Sequence, residues 1–177
     1  MQFSAELIRD FVNTFDVEAQ ADELSSPADL AVWLRERDLI GPLDRATDED
    51  LQTAHQLREG LRAALRRESA DLPALAVQVR VGAGERPELV PAVEGVRGGL
   101  ARIAAAVALA AAGTAREWDR LKVCAEETCQ WAFIDSSKNR SRSWCSMRVC
   151  GNRTKTRAYR ARKRGSRRLQ GSNTDTV

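Results

Sequence analysis

Apolar residues recur at helical spacing in the first part of the chain. The first segment has the period of an amphipathic helix, with Leu7, Ile8, Phe11, Val12 and Phe15 on one face. Farther along, Ser26 followed by Pro27 favours a helix start, because serine caps a first turn and proline fits its first position. The apolar face of this second helix would be Leu30, Trp33 and Leu34.

A third helix is predicted behind Thr47 and Asp50, which form a variant of the capping box. We expect this helix to end near Ser69. Its buried stripe would be Leu51, Ala54, Leu57, Leu61 and Leu65.

The period of the pattern then changes from that of a helix to that of a strand. Leu75, Val77, Val79 and Val81 alternate with other residues, as in a half-buried strand. Gly82-Ala83-Gly84 predicts a turn, and an extended segment from Arg86 to Val93 would close a hairpin. Helical spacing returns up to Gly113, with Leu100, Ile103, Ala104, Val107 and Ala111 on one face. The front of the chain is therefore predicted to be an α+β domain.

The distribution of charge divides the chain into two parts. Residues 1–137 hold 15 Lys and Arg against 24 Asp and Glu, whereas residues 138–168 hold 13 basic residues and no acidic one. Crowded like charges repel one another, and a polyanion such as a nucleic-acid backbone relieves that repulsion. A solvated basic tail or a partner with an acidic protein surface would explain the same composition.

Export, membrane insertion and catalysis are not expected. The first residues lack the basic start and apolar centre of a secretion signal, which favours a cytoplasmic protein. The longest uninterrupted apolar run, 103–112, reaches only about half of the ~20 residues that cross a bilayer. The one histidine, His55, falls beside the apolar stripe of a predicted helix, where a structural role is more common than that of a catalytic base.

The four cysteines are spaced Cys124-x4-Cys129-x15-Cys145-x4-Cys150. Two close pairs separated by a loop suit one tetrahedral ion, and Zn²⁺ is the natural choice for four thiolates. Iron fits the same geometry but lacks a redox signature here. Two disulfides are the other interpretation, which a reducing cytosol disfavours.

A segment this small needs a metal to fold, because it cannot bury enough apolar surface by itself. Removal of the metal is therefore expected to unfold this segment and to spare the front domain. Trp131, Phe133 and Trp144 are interpreted as its miniature core, with base stacking as the alternative role. A short strand is predicted over Trp131 to Asp135, followed by a turn, and a helix from Met147 to Arg164. A zinc knuckle, a hairpin and a helix with the second ligand pair is the layout of a treble clef.

The basic helix and the loop before it supply the candidate contacts to nucleic acid. Arg153, Arg157, Arg160 and Arg164 fall on one helical face. Asn152 either reads adenine or braces the zinc knuckle, of which we favour the second. The full candidate set is Lys138, Arg140, Arg142, Arg148, Asn152, Arg153, Lys155, Arg157, Arg160, Arg162, Lys163 and Arg164. We expect DNA as the partner, with RNA as the alternative.

The run Cys145-Ser-Met-Arg-Val-Cys150-Gly151-Asn152-Arg153 resembles the signature of the CGNR zinc-finger family, and Cys129-x-Trp131-x-Phe133-x-Asp135 strengthens the likeness. The front resembles the companion ABATE domain through Asp10-Phe-Val-Asn-Thr14 and Leu30-Ala-Val-Trp33-Leu34. The chain departs from the expected finger pattern at Ser143 and Tyr159, neither of which is a metal ligand.

The resemblance implies a bacterial, stress-induced transcription regulator. That the protein is not an enzyme is a separate expectation from its residues. The resemblance also implies that the four cysteines are the zinc ligands and that Gly151, Asn152 and Arg153 complete the motif. The expected organisation is an α+β ABATE-like domain (1–117), a treble-clef finger with a basic helix (118–165) and a disordered tail (166–177). An unknown ligand or protein at the front domain, and a homodimer, are further expectations.

Overall fold

In the computed structural model, the described residues are 4–83, 87–112 and 117–170, with side chains described from 5 to 163 outside the same gaps. The helices are α1 (Ser4–Val12), α2 (Pro27–Arg35), α3 (Asp48–Leu65), α4 (Gly95–Ala112), α5 (Glu117–Arg120) and α6 (Asn152–Gln170). A π-helical turn, Met147–Gly151, leads into α6. The strands are β1 (Phe15–Asp16), β2 (Ala21–Asp22), β3 (Val77–Arg80), β4 (Glu88–Pro91), β5 (Leu121–Val123) and β6 (Ala132–Ile134). They form three antiparallel hairpins, β1–β2, β3–β4 and β5–β6.

The predicted helix starts of α2 and α3 are confirmed. The backbone N–H of Asp29 donates to the Ser26 hydroxyl, with Pro27 in the first helical turn. Thr47 and Asp50 form the reciprocal capping box, each side chain accepting from the other residue's backbone N–H. The end of α3 differs from the prediction, because the helix stops at Leu65 and Arg67 takes a left-handed conformation with φ of 64°.

The main core lies among α1, α2, α3, α4 and the β5–β6 hairpin. The predicted stripes supply most of its fully buried side chains, which include Ile8, Phe11, Leu30, Leu34, Leu57, Leu61, Leu100 and Ile103. Leu121 of β5 and Ala132 of β6 belong to the same cluster. The hydrophobic core therefore crosses the expected domain boundary near residue 118, and the position of that boundary stays a prediction.

Phe15 is the one member of the first predicted stripe that lies outside the helix. The chain leaves α1 at Val12, and Phe15 pairs with Asp22 in the β1–β2 hairpin. The guanidinium carbons of Arg58 and Arg62 lie 5.2 and 6.0 Å from the centroid of its ring. Tertiary contacts to two arginines have thus overridden the helical period at this position.

The predicted hairpin is present, but the expectation that its first strand is half-buried is wrong. Val77 pairs with Pro91 and Arg80 with Glu88, while every residue of β3 is exposed. The hairpin contacts α4 mainly through β4, which leaves β3 on the outside. Within the predicted segments, Gly84, Arg86 and Gly113 lie outside the described residues.

Helix α4 is long and apolar enough to cross a membrane by length and composition alone. Half of it is buried inside the protein, against α1, β4 and α5 among others. Gly98 permits the close approach of the loop between β4 and α4, because a Cβ there would collide with the carbonyl oxygen of Val93. The apolar composition of α4 is accounted for by its place in the core.

Candidate metal centre and nucleic-acid surface

The four cysteine thiols converge on one point. Their Sγ atoms all lie within 4.8 Å of one another, and the Cys129–Cys145 and Cys145–Cys150 separations are both 3.7 Å. A tetrahedral zinc ion with Zn–S bonds of about 2.3 Å requires S···S edges of about 3.8 Å. The thiols are unbridged, and a disulfide would bring two sulfurs to about 2.05 Å. The donor set and its spacing fit Zn²⁺, as the cysteine pattern predicts.

Two local structures hold the ligand pairs. Cys124 follows β5 and donates its backbone N–H to Trp131 O, while the N–H of Cys129 donates to Glu126 O, which closes a tight knuckle. Cys150 lies on the π-helical turn, where the N–H of Gly151 reaches back to Ser146 O at 3.1 Å. Each pair is therefore positioned by backbone hydrogen bonds within a few residues of the ligands.

The thiols require a cation to ionise together. Burial raises the pKa of Cys129 to about 11, and it raises the pKa of Cys145 well above its ordinary value. Burial also opposes ionisation of Cys124, but hydrogen bonds from the backbone of Cys145 and Glu126 bring its pKa below the ordinary value. A bound Zn²⁺ supplies the positive charge that stabilises four neighbouring thiolates.

Two protein-family models match the chain, and both cover part of the site. Residues 120–163 match the family model described as "CGNR zinc finger". Residues 5–135 match the ABATE model, described as "Putative stress-induced transcription regulator". The chain belongs to the ABATE family. A comparison with curated proteins found no match. The ABATE and CGNR matches share residues 120–135, which contain β5 and β6, the hairpin that completes the main core.

A buried carboxylate connects the CGNR knuckle to α6. Glu126 is 1% exposed; it accepts from Arg157 Nη2 and from the Thr154 hydroxyl, both at 2.9 Å. These two partners, Thr154 first, hold the pKa of Glu126 below its ordinary value. Trp144 Nε1 donates to the same threonine hydroxyl at 3.2 Å. The start of α6 is thereby fixed against the metal centre.

A second buried carboxylate, Asp135, organises the loop between the ligand pairs. Its Oδ2 accepts from Lys122 Nζ at 2.8 Å and from the backbone N–H of Arg142 at 2.9 Å. Its Oδ1 accepts from the backbone N–H and the hydroxyl of Ser137. Although burial acts in the opposite direction, Lys122 and the other donors hold the pKa of Asp135 far below its ordinary value.

Two polar side chains of the ABATE region hold the finger's hairpin against the core. Asn13 makes a pair of hydrogen bonds to the backbone of Ala132, of 2.9 and 2.7 Å. The buried guanidinium of Arg62 donates to Val12 O at 2.7 Å and to Gln130 O at 2.9 Å. In the sequence, Asn13 stands out only within a family motif, and the pattern around Arg62 does not distinguish this arginine from a surface residue.

The aromatic core predicted for the finger is only partly present. Phe133 is buried under the guanidinium of Arg142, 4.9 Å from the ring centroid. Trp144 packs against the cysteine cluster. Trp131 is 37% exposed, so its assignment to the miniature core of the finger is wrong. Its neighbour Ala132 is the residue of this strand that is buried in the main core.

Several of the predicted nucleic-acid contacts also hold the protein together. Arg153 pairs with Glu18 of the ABATE region and Arg157 with Glu126, both at 2.9 Å. Arg140 pairs with Asp119, and Arg142 Nη2 donates to Cys145 O at 2.7 Å. Asn152 donates to Arg148 O at 3.0 Å, as the bracing interpretation requires. The exposed candidates are Lys138, Arg142, Arg148, Asn152, Lys155, Arg157, Arg160, Arg162 and Lys163, and the side chain of Arg164 lies outside the described residues.

Proposed function

We propose that the protein is a zinc-dependent DNA-binding transcription regulator in which α6 contacts DNA. The observation that carries this proposal is the exposed basic surface of α6. The metal centre fixes the position of this helix, because Cys150 lies on the π-helical turn directly before it. Residues 138–168 contain no acidic side chain that would oppose a phosphate backbone. Phosphate contacts by lysine and arginine supply most of the sequence-independent affinity for DNA.

The face of α6 proposed to meet DNA is the one turned away from the finger. Arg153 and Arg157 pair with carboxylates on the protein side of the helix. Lys155, Tyr159 and Lys163 are exposed and follow one another at intervals of four residues along the helix. We therefore assign positioning to Arg153 and Arg157, and phosphate contact to the lysine-bearing face.

Alanine substitution of Lys155 and Lys163 should weaken DNA binding and flatten its dependence on salt. Removing one phosphate contact changes the slope of log affinity against log salt by about 0.9. Fluorescence anisotropy with a labelled duplex across a salt series measures both quantities. Arg102→Ala on α4 is a control for each single substitution, because it removes one exposed positive charge from the ABATE region. Equal effects of the control and of either lysine substitution would contradict the assignment.

Single-stranded RNA is the second candidate partner, favoured by two exposed aromatic rings. Trp131 is 37% exposed beside the metal centre, and Tyr159 is 60% exposed on the lysine-bearing face of α6. Such rings stack on unpaired bases. Competition between unlabelled duplex DNA and single-stranded RNA distinguishes the two functions. Sequencing the DNA retained from a random pool by the zinc-loaded protein then identifies any preferred site.

We further propose that the ABATE region senses a ligand or partner. A cavity of about 670 Å³ lies between the end of α3 and β5, lined in part by Arg66, Trp118, Lys122 and the metal ligand Cys124. An occupant of this cavity would touch the ABATE helices and the metal centre together. The test is a thermal-shift screen of small molecules, followed by DNA titration with each stabilising compound. A compound that stabilises the protein without changing DNA affinity would count against sensing through this cavity.

A further inference from the structure

Strand β3 has the sequence of a half-buried strand but lies on the surface. Val77, Val79 and Val81 alternate with Gln78 and Arg80. The three valines are 40%, 64% and 62% exposed. Alternating β-branched residues are typical of a strand with one face covered, and a two-stranded hairpin alone is marginally stable. The sequence of β3 therefore predicts a covered strand face, and nothing in residues 4–83, 87–112 and 117–170 covers it.

The hydrogen bonding of the hairpin shows which backbone groups face the open edge of β3. The N–H of Ala92 donates to Ala76 O, so residues 76 and 92 form a hydrogen-bonded pair. Pairs alternate along an antiparallel ladder, which makes Val77–Pro91 and Val79–Leu89 the non-hydrogen-bonded pairs. Proline at position 91 agrees with this phase, because it has no N–H to donate. The backbone N–H and C=O groups of Val77 and Val79 consequently point away from β4, and the same alternation extended by two residues gives Val81 that direction.

An open edge of this kind is complementary to itself. With two copies antiparallel and centred on Val79, the Val79 residues face each other and Val77 faces Val81 of the second copy. Both are pairs in which the outward N–H and C=O groups meet. Gln78 then faces Arg80, whose charge is already paired with Glu88 at 2.6 Å. Centring the pairing on Arg80 would instead place two arginines opposite each other, which is unfavourable.

We propose that β3 pairs with β3 of a second copy of this chain. The result is a twofold-symmetric dimer with a continuous sheet of four strands in the order β4–β3–β3–β4. The pairing removes the open edge and brings the valines of the two copies together on one face of the sheet. This interface does not involve α6 or the metal centre, so the dimer can be tested independently of DNA binding.

The oligomeric state is tested by light scattering of the zinc-loaded full chain at increasing protein concentration. The mass of the wild-type protein should rise to twice that of the chain, and Val79→Lys should keep it at the mass of one chain. Two lysines would meet at the twofold axis in that variant, while the exposure of Val79 lets the hairpin itself tolerate the change. Val149→Lys, the same substitution at a valine that is 53% exposed on the π-helical turn Met147–Gly151, is the matched control and should still dimerise.

Cross-linking tests the register of the pairing. Residues directly opposite in a hydrogen-bonded antiparallel pair have Cα atoms about 5.5 Å apart, within the range of a disulfide. Mild oxidation should therefore link Val79→Cys to itself, whereas Gln78→Cys should link poorly because it faces Arg80. A wild-type protein that stays at the mass of one chain at every concentration would overturn the proposal and leave β3 to a different partner. A dimer that Val79→Lys leaves intact, or one in which Val79→Cys links no better than Gln78→Cys, would also overturn it.

Discussion

Removal of zinc is expected to unfold the CGNR finger and to lower the stability of the ABATE core as well. Structural zinc in small fingers contributes apparent free energies on the order of 10 kcal/mol, which exceeds what the hydrogen bonds from Thr154 and Arg157 to Glu126 of the knuckle supply. Because Leu121 and Ala132 of the finger's hairpin lie in the main core, unfolding of the knuckle exposes part of that core. The sequence alone favours a finger that unfolds by itself and spares the front domain.

Thermal unfolding followed by circular dichroism, with and without a chelator, measures this effect. The metal-free protein should lose helical signal from α6 and melt at a lower temperature. Adding zinc back should restore the wild-type protein but not Cys129→Ser, which lacks one of the four ligands. Metal analysis of both proteins provides the control for zinc content. An unchanged melting curve after complete removal of the metal would contradict the structural role of zinc.

The features that the sequence predicts correctly are those encoded locally. Ser26 and the Thr47–Asp50 box cap helices through residues three positions apart, so a short stretch of sequence contains the whole interaction. The four ligands are predictable because their spacing and side-chain chemistry together specify a metal site. Such features do not depend on how the rest of the chain packs.

The features that the sequence does not predict depend on residues far apart in the chain. Asn13 contacts Ala132, and Arg62 contacts Gln130, across more than sixty positions. Glu126 is one acid among many in the sequence, although its burial at the metal centre makes it the partner of Arg157. Neither periodicity nor charge distinguishes these residues from exposed ones, because their role is defined only by the packing of the finger on the helices.

The ion pairs also change the interpretation of the charge division between the two parts of the chain. Glu18 and Glu126, both from the acidic part, hold Arg153 and Arg157 of the basic part. The Glu18 pair is partly exposed on both sides, and such pairs contribute at most about 1 kcal/mol. This contact therefore orients α6 without preventing its outer face from meeting a polyanion.

Asp135→Asn is expected to destabilise the protein by about 3–5 kcal/mol, the usual cost of breaking a buried ion pair. An asparagine amide in place of Oδ2 would direct its N–H groups at Lys122 Nζ and the Arg142 N–H, which are themselves donors. The flipped amide would meet the Ser137 N–H instead. Either orientation leaves a donor facing a donor in a site where the carboxylate is 0% exposed.

The dependence of this effect on pH has a definite sign. Because folding lowers the pKa of Asp135 from 3.8, its carboxylate stabilises the folded protein fully above that pH and progressively less as the pH falls below it. Urea unfolding of the zinc-loaded protein should therefore give a difference between wild type and Asp135→Asn that is largest near neutral pH. Glu49→Gln is the control, since that carboxylate pairs with Arg97 but is 82% exposed, and it should cost no more than about 1 kcal/mol. If the two substitutions proved equally mild at neutral pH, Asp135 would not be the residue that holds the loop between the ligand pairs in place.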